Sequence, residues 1–94
     1  MLDGVLDVEV LPSIMDLRRI DPARNMRRFY RMVIQCDLFG RASLIRTWGR
    51  LGARGQQLVM SFDSEGQAIL ALNKLLKEKQ RRGYEVCGAI APRI

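Results

Sequence analysis

SFDSEGQAILALNKLLKEKQRRGY, from Ser61 to Tyr84, is the stretch that decides the fold, because the spacing of apolar residues changes inside it. Upstream, apolar residues recur every second position. Here Ala68, Ile69, Leu72, Leu75 and Leu76 fall on one stripe at a period of 3.6, the mark of an amphipathic helix. Ser64 and Gln67 have the spacing of a capping box, and Asp63 and Glu65 put negative charge at the positive end of the helix dipole. Lys77, Lys79, Arg81 and Arg82 occupy the last turns, where cations are favoured, and Gly83 is placed to cap the C-terminus. A helix of this length spans about 25 Å, enough to cross a small sheet.

Working back from the helix, three segments read as strands. MRRFYRMVIQC (Met26–Cys36) is rich in aromatic and β-branched residues. Its alternation puts Tyr30, Met32, Ile34 and Cys36 on one face and Phe29, Arg31, Val33 and Gln35 on the other. A short reversal with Asp37 and Gly40 leads into ASLIRTWGR (Ala42–Arg50), and LGARG leads into QQLVMSF (Gln56–Phe62). Short glycine-bearing turns between long strands make an antiparallel meander. LRRIDPARN reads as a shorter strand from Leu17, stopped at Asp21-Pro22, and YEVCGAI at the other end is compatible with a further edge strand. The expected class is therefore α+β: an antiparallel sheet of about four strands with one long helix packed across one face. The helix covers one face only, which leaves the other solvated or used.

Charge points to the partner. The chain has 94 residues, sixteen Lys or Arg against ten Asp or Glu, and a net charge of +6. Residues 1–16 contain Asp3, Asp7, Glu9 and Asp16 and no base, so they form an acidic arm of −4 ahead of a body, residues 17–94, of +10. Thirteen of the sixteen bases are arginine, whose planar fork takes phosphate oxygens in pairs. Polyanions are the first candidate partner of such a domain; an arginine-rich solvated surface is the bland alternative. The arm, with Val5, Leu6, Val8 and Val10 before Pro12, is compatible with an edge strand, a disordered leader or a segment folding back on the body. One expectation for it is that its carboxylates compete with phosphates for the same arginines.

The remaining composition excludes several classes. No apolar run approaches the ~20 residues that span a bilayer, and acids stand where a signal peptide carries bases, so a cytoplasmic protein with no membrane partner is expected. There is no histidine, and Cys36 and Cys87 have no metal-type spacing, so no metal site and no cofactor is expected, only two reduced thiols, packed or half-packed. No acid–base pair or activated nucleophile is visible, and GARGQ opens a strand rather than a helix, unlike a phosphate-cradling loop. A non-enzyme is expected.

The candidate site centres on TWGRLGARGQ (Thr47 to Gln56), which holds the only tryptophan. Alternation puts Trp48 on one side of its strand with Leu44, Arg46 and Arg50. Gly49 beside it lets another backbone, or a ligand, come close. An aromatic plane flanked by guanidinium groups supplies a stacking surface and phosphate neutralisation together. The competing reading is a core tryptophan with arginine stacked on it within the chain.

TWGRLGARGQ, preceded by FYRMVIQ and followed by Ser61–Glu85, resembles the WGR domain, named for the tripeptide Trp48-Gly49-Arg50. The tripeptide alone is a weak signal. Specificity comes from its company: Phe29-Tyr30, the Gly52…Gly55-Gln56 turn, Phe62, Ser64 and Ala68 at the helix entry, and Lys79, Gly83 and Tyr84 at its exit. The resemblance covers residues 17 to 87 and leaves the arm outside the pattern. It implies an antiparallel sheet crossed by a helix. WGR domains occur in poly(ADP-ribose) polymerases, in some bacterial regulators linked to molybdate metabolism, and as small free-standing bacterial proteins, which this chain looks like. In the polymerases the domain helps grip DNA at breaks. Carried over, Trp48 stacks on a nucleotide and Arg50 meets a phosphate or a partner. Together the two readings nominate Trp48, Gly49, Arg50, Arg46, Arg54, Arg28 and Arg31 as a nucleic-acid surface, DNA before RNA. The alternative is a protein partner anchored by the same Trp/Arg face.

Overall fold

The structure, a computed structural model, describes residues 13–90. The acidic arm up to Pro12, and the expectations placed on it, lie outside the described residues. The elements are β1 (Ile14–Asp21), β2 (Met26–Cys36), β3 (Ala42–Arg50), β4 (Gln56–Phe62), α1 (Glu65–Arg81) and β5 (Glu85–Ile90). They form one antiparallel sheet in the order β4-β3-β2-β1-β5 with α1 across one face, an α+β architecture. The meander occupies four consecutive positions, and the helix carries the chain back so that YEVCGAI adds a fifth strand beside β1.

Local chemistry sets each boundary. Between β1 and β2, Pro22 opens a single 3-10 turn that ends at Asn25, in the left-handed region at φ 52° with its N–H donating to the Pro22 carbonyl. At the β2–β3 reversal, Asp37 Oδ1 accepts from the backbone N–H groups of Phe39 (2.8 Å) and Arg41 (3.0 Å), an Asx-type turn. At the helix start Ser64 Oγ accepts from Gln67 N–H (3.2 Å), as the capping pattern predicts. The Gln67 side chain reaches one residue further back than in a capping box, to the N–H of Asp63 (3.0 Å). At the helix end, Gly83 N–H donates to Gln80 O and Tyr84 N–H to Lys79 O, each 3.0 Å. That pair of bonds is a Schellman motif, and it turns Tyr84 back against the sheet.

The core lies between α1 and one sheet face: Met15, Leu17, Tyr30, Met32, Ile34, Ala42, Leu44, Ala68 and Leu72 are buried. Ile69, Leu75 and Leu76 of the predicted stripe are partly buried against it. Three points differ from the sequence reading. The first strand begins at Ile14, not Leu17, so Asp16 belongs to the sheet and its carboxylate lies 3.5 Å from Arg31. Cys36 shares the parity of Tyr30 but ends β2 and is exposed, although its cross-strand partner Ala42 is buried. Cys87 is exposed as well; the expected packing of the thiols is not found. No helix among the described residues is long and apolar enough to cross a membrane.

Candidate functional site

Strand register brings the nominated residues into rows. Leu17, Tyr30, Trp48 and Gln56 are successive cross-strand partners, so Trp48 lies on the face that carries the helix, not on the opposite one. It escapes full burial because it sits near the sheet end where α1 stops. Its ring stacks on Tyr30 (centroids 6.1 Å apart, planes at 24°), and Tyr84 meets Tyr30 edge-on at 6.2 Å. Trp48 is thus half-buried, one side packed inward.

Arg46 holds that arrangement from within. Its guanidinium lies 5.7 Å from the Tyr30 ring and 5.6 Å from the Trp48 ring, and its Nε–H donates to the Tyr30 hydroxyl. Lys79 adds its ammonium 4.5 Å from the Tyr30 ring. Stacking of arginine on tryptophan within the chain, the competing reading, therefore holds for Arg46.

The next row outward is Arg19, Arg28 and Arg50, paired in register across β1, β2 and β3 on the Trp48 face. Like charges directly opposite one another destabilise a sheet. Yet the ion pairs among the described residues are Arg24–Asp21 and Arg31–Asp16, and neither touches this ladder. Among the described residues, the Arg50 guanidinium donates only to the Asn25 carbonyl, at 3.3 Å. A concavity of about 310 Å³ opens here, lined by Arg28, Trp48, Gly49, Arg50 and Tyr84.

Four of the seven nominated residues thus share one hollow. Arg46 stands behind the Trp48 ring, Arg54 is exposed on the adjoining turn, and Arg31 is on the opposite face with Asp16. Gly49 has a structural reason: a Cβ there would lie 2.8 Å from the Cα of Gly55, so another backbone, that of the turn, makes the close approach. Arg19, Lys79 and Tyr84 were not nominated. Arg19 needed the strand register to be found, and Tyr84 and Lys79 needed the path of the chain after the helix.

Burial raises the Tyr30 hydroxyl above its ordinary value of 10.0, and the Arg46 hydrogen bond offsets this only in part. Desolvation lowers the Lys79 ammonium from 10.5, with Arg82 and Arg46 adding to it. The two act in opposite senses. The folded state resists ionisation of Tyr30, so that contribution is complete below 10.0 and is lost as pH rises through the folded-state value. Lys79 sheds its proton earlier when folded, so stability gains as pH approaches 10.5. Urea titrations across the alkaline range should show a shallower loss of stability in Tyr30→Phe than in the parent. Identical alkaline slopes would remove Tyr30 as the cause.

The WGR domain family model matches residues 15–89. A curated relative, "Uncharacterized protein y4dW" of Sinorhizobium fredii (strain NBRC 101917 / NGR234), is 40% identical over 84 residues, covering 86% of this chain and 41% of that protein. The chain thus matches well under half the length of that relative. No solved structure matches.

Proposed function

Because the chain belongs to the WGR domain family, we propose that it is a non-catalytic nucleic-acid-binding module, with DNA as its polyanion. The observation that carries this reading is the arginine ladder Arg19–Arg28–Arg50, unneutralised by any carboxylate among the described residues and flush with a half-exposed tryptophan. Such a row costs stability in the free protein. A run of phosphates would offset that cost, each taken by an arginine fork. A sugar or base would rest in the hollow against Trp48 and Tyr84, where a flat apolar surface tolerates any sequence. Arg46, held by Tyr30, would position the indole rather than touch the ligand. Arg54 would extend the phosphate track along the turn.

The test is a binding screen of single-stranded, blunt, nicked and RNA oligonucleotides at several salt concentrations. Trp48→Ala should weaken binding by about 1–3 kcal/mol. Arg28→Ala and Arg50→Ala should each flatten the dependence of log affinity on log salt by about one unit. Arg31→Ala, on the opposite face, should change the slope little. Folded variants at Trp48, Arg28 and Arg50 that bind like the parent would overturn the reading. So would affinity that is indifferent to salt, the behaviour of a tryptophan-anchored protein interface.

A further inference from the structure

β4 ends the sheet on one side, and among the described residues nothing pairs with its outer edge. Its sequence, QQLVMSF, contains no charged residue and no proline, and its register with β3 runs without a bulge from Gln56 to Phe62. Leu58 is 45% and Val59 53% exposed. Edge strands are ordinarily protected by charge, proline or a bulge, and this one has none of the three. The opposite edge differs: β5 carries Glu85, and its pairing with β1 is broken by a bulge between Asp16 and Leu17.

We propose that the β4 edge pairs antiparallel with β4 of a second copy of this chain, forming a two-fold dimer with one continuous ten-stranded sheet. The strand is self-complementary about its midpoint. With Val59 opposite Val59, Leu58 meets Met60 of the second copy on the helix face, Gln57 meets Ser61 and Gln56 meets Phe62, with no like charges opposed. On the face opposite the helix, Val59 already ends a cross-strand row of Ile14, Val33, Ile45 and Val59, which the pairing continues into the second copy.

Charge beyond the strand ends selects the same partner. Arg54 lies just before β4, and Asp63 and Glu65 lie just after it. Antiparallel pairing brings Arg54 of each copy beside Asp63 and Glu65 of the other. It also sends the two arginine ladders, which lie toward the Gln56 end of β4, to opposite ends of the joint sheet, so the excess positive charge is separated. The isologous arrangement turns a chain of net charge +6 into a self-matching edge. The proposal does not depend on the nucleic-acid reading.

Sedimentation equilibrium over a wide micromolar range tests it. The parent should approach twice the 10.8 kDa of the chain. Val59→Lys, which sets two ammonium groups against each other at the two-fold, should give a monomer with an unchanged circular dichroism spectrum. Arg54→Glu should raise the dimer dissociation constant roughly tenfold or more, and Asp63→Lys in that background should restore it. A parent that stays monomeric at every concentration would overturn the proposal. A dimer that survives Val59→Lys would do the same, since it must use another surface. Dimerisation seen only after deletion of residues 1–12 would assign the edge to that segment instead.

Discussion

Replacing Leu72 by alanine is expected to cost about 2–5 kcal/mol of folding stability. Leu72 is 1% exposed at the centre of the helix stripe and belongs to the cluster built around Tyr30, Met32 and Leu44. Truncation removes three carbons and leaves a cavity that two rigid elements close imperfectly. The sheet cannot collapse into it without breaking the register of β2 and β3, and the helix is held at both ends by its caps. Leu70 on the same helix is 71% exposed, so Leu70→Ala should change stability by no more than about 0.5 kcal/mol. Urea denaturation followed by Trp48 fluorescence separates the two. Equal effects at both positions would contradict the helix orientation.

The second large effect is expected at Gly55. Its φ is +82°, and a Cβ would lie 2.6 Å from the Trp48 carbonyl oxygen and 2.9 Å from the Phe29 ring. The carbonyl does not yield easily, because it belongs to β3, where Trp48 pairs with both Tyr30 and Gln56. Gly55→Ala combines the left-handed penalty with a backbone clash, on the order of 2–4 kcal/mol. Gly52 isolates the first cost, since its φ is +88° but nothing lies within 4 Å of its missing Cβ. Gly52→Ala should cost about 1 kcal/mol. Matching losses in the two variants would mean that the turn moves freely away from β3. Because the clash presses on Trp48 itself, Gly55→Ala should also change the near-ultraviolet dichroism of the indole, while Gly52→Ala should not.

How much of this was legible in the chain differs from element to element. The spans Met26–Cys36, Ala42–Arg50 and Gln56–Phe62 follow from alternation and glycine-bearing turns alone, and the structure has the same bounds. So does the helix start, because Ser64 and Gln67 act within one turn of chain. The strand start at Ile14 is masked in the sequence by the acidic charge that continues through Asp16. That Trp48 shares a face with Arg46 and Arg50 is legible too, since side-chain direction along a strand is a local property. Which side of the sheet that face would become was not legible. It depends on where the helix lands after β4.

Sequence by itself determined the class, the caps, the turns, the excess of arginine and the resemblance carried by Trp48-Gly49-Arg50, all set by neighbours a few residues apart. Tertiary structure alone decided the rest. Arg19, Arg28 and Arg50 stand in one row only because two reversals bring β1, β2 and β3 into register. Tyr84 reaches Tyr30 only because the helix returns the chain to the sheet, and β4 is an edge only because β5 went to the other side. Each depends on contacts between residues distant in the chain, set by how the apolar stripe of α1 and one face of the sheet bury each other.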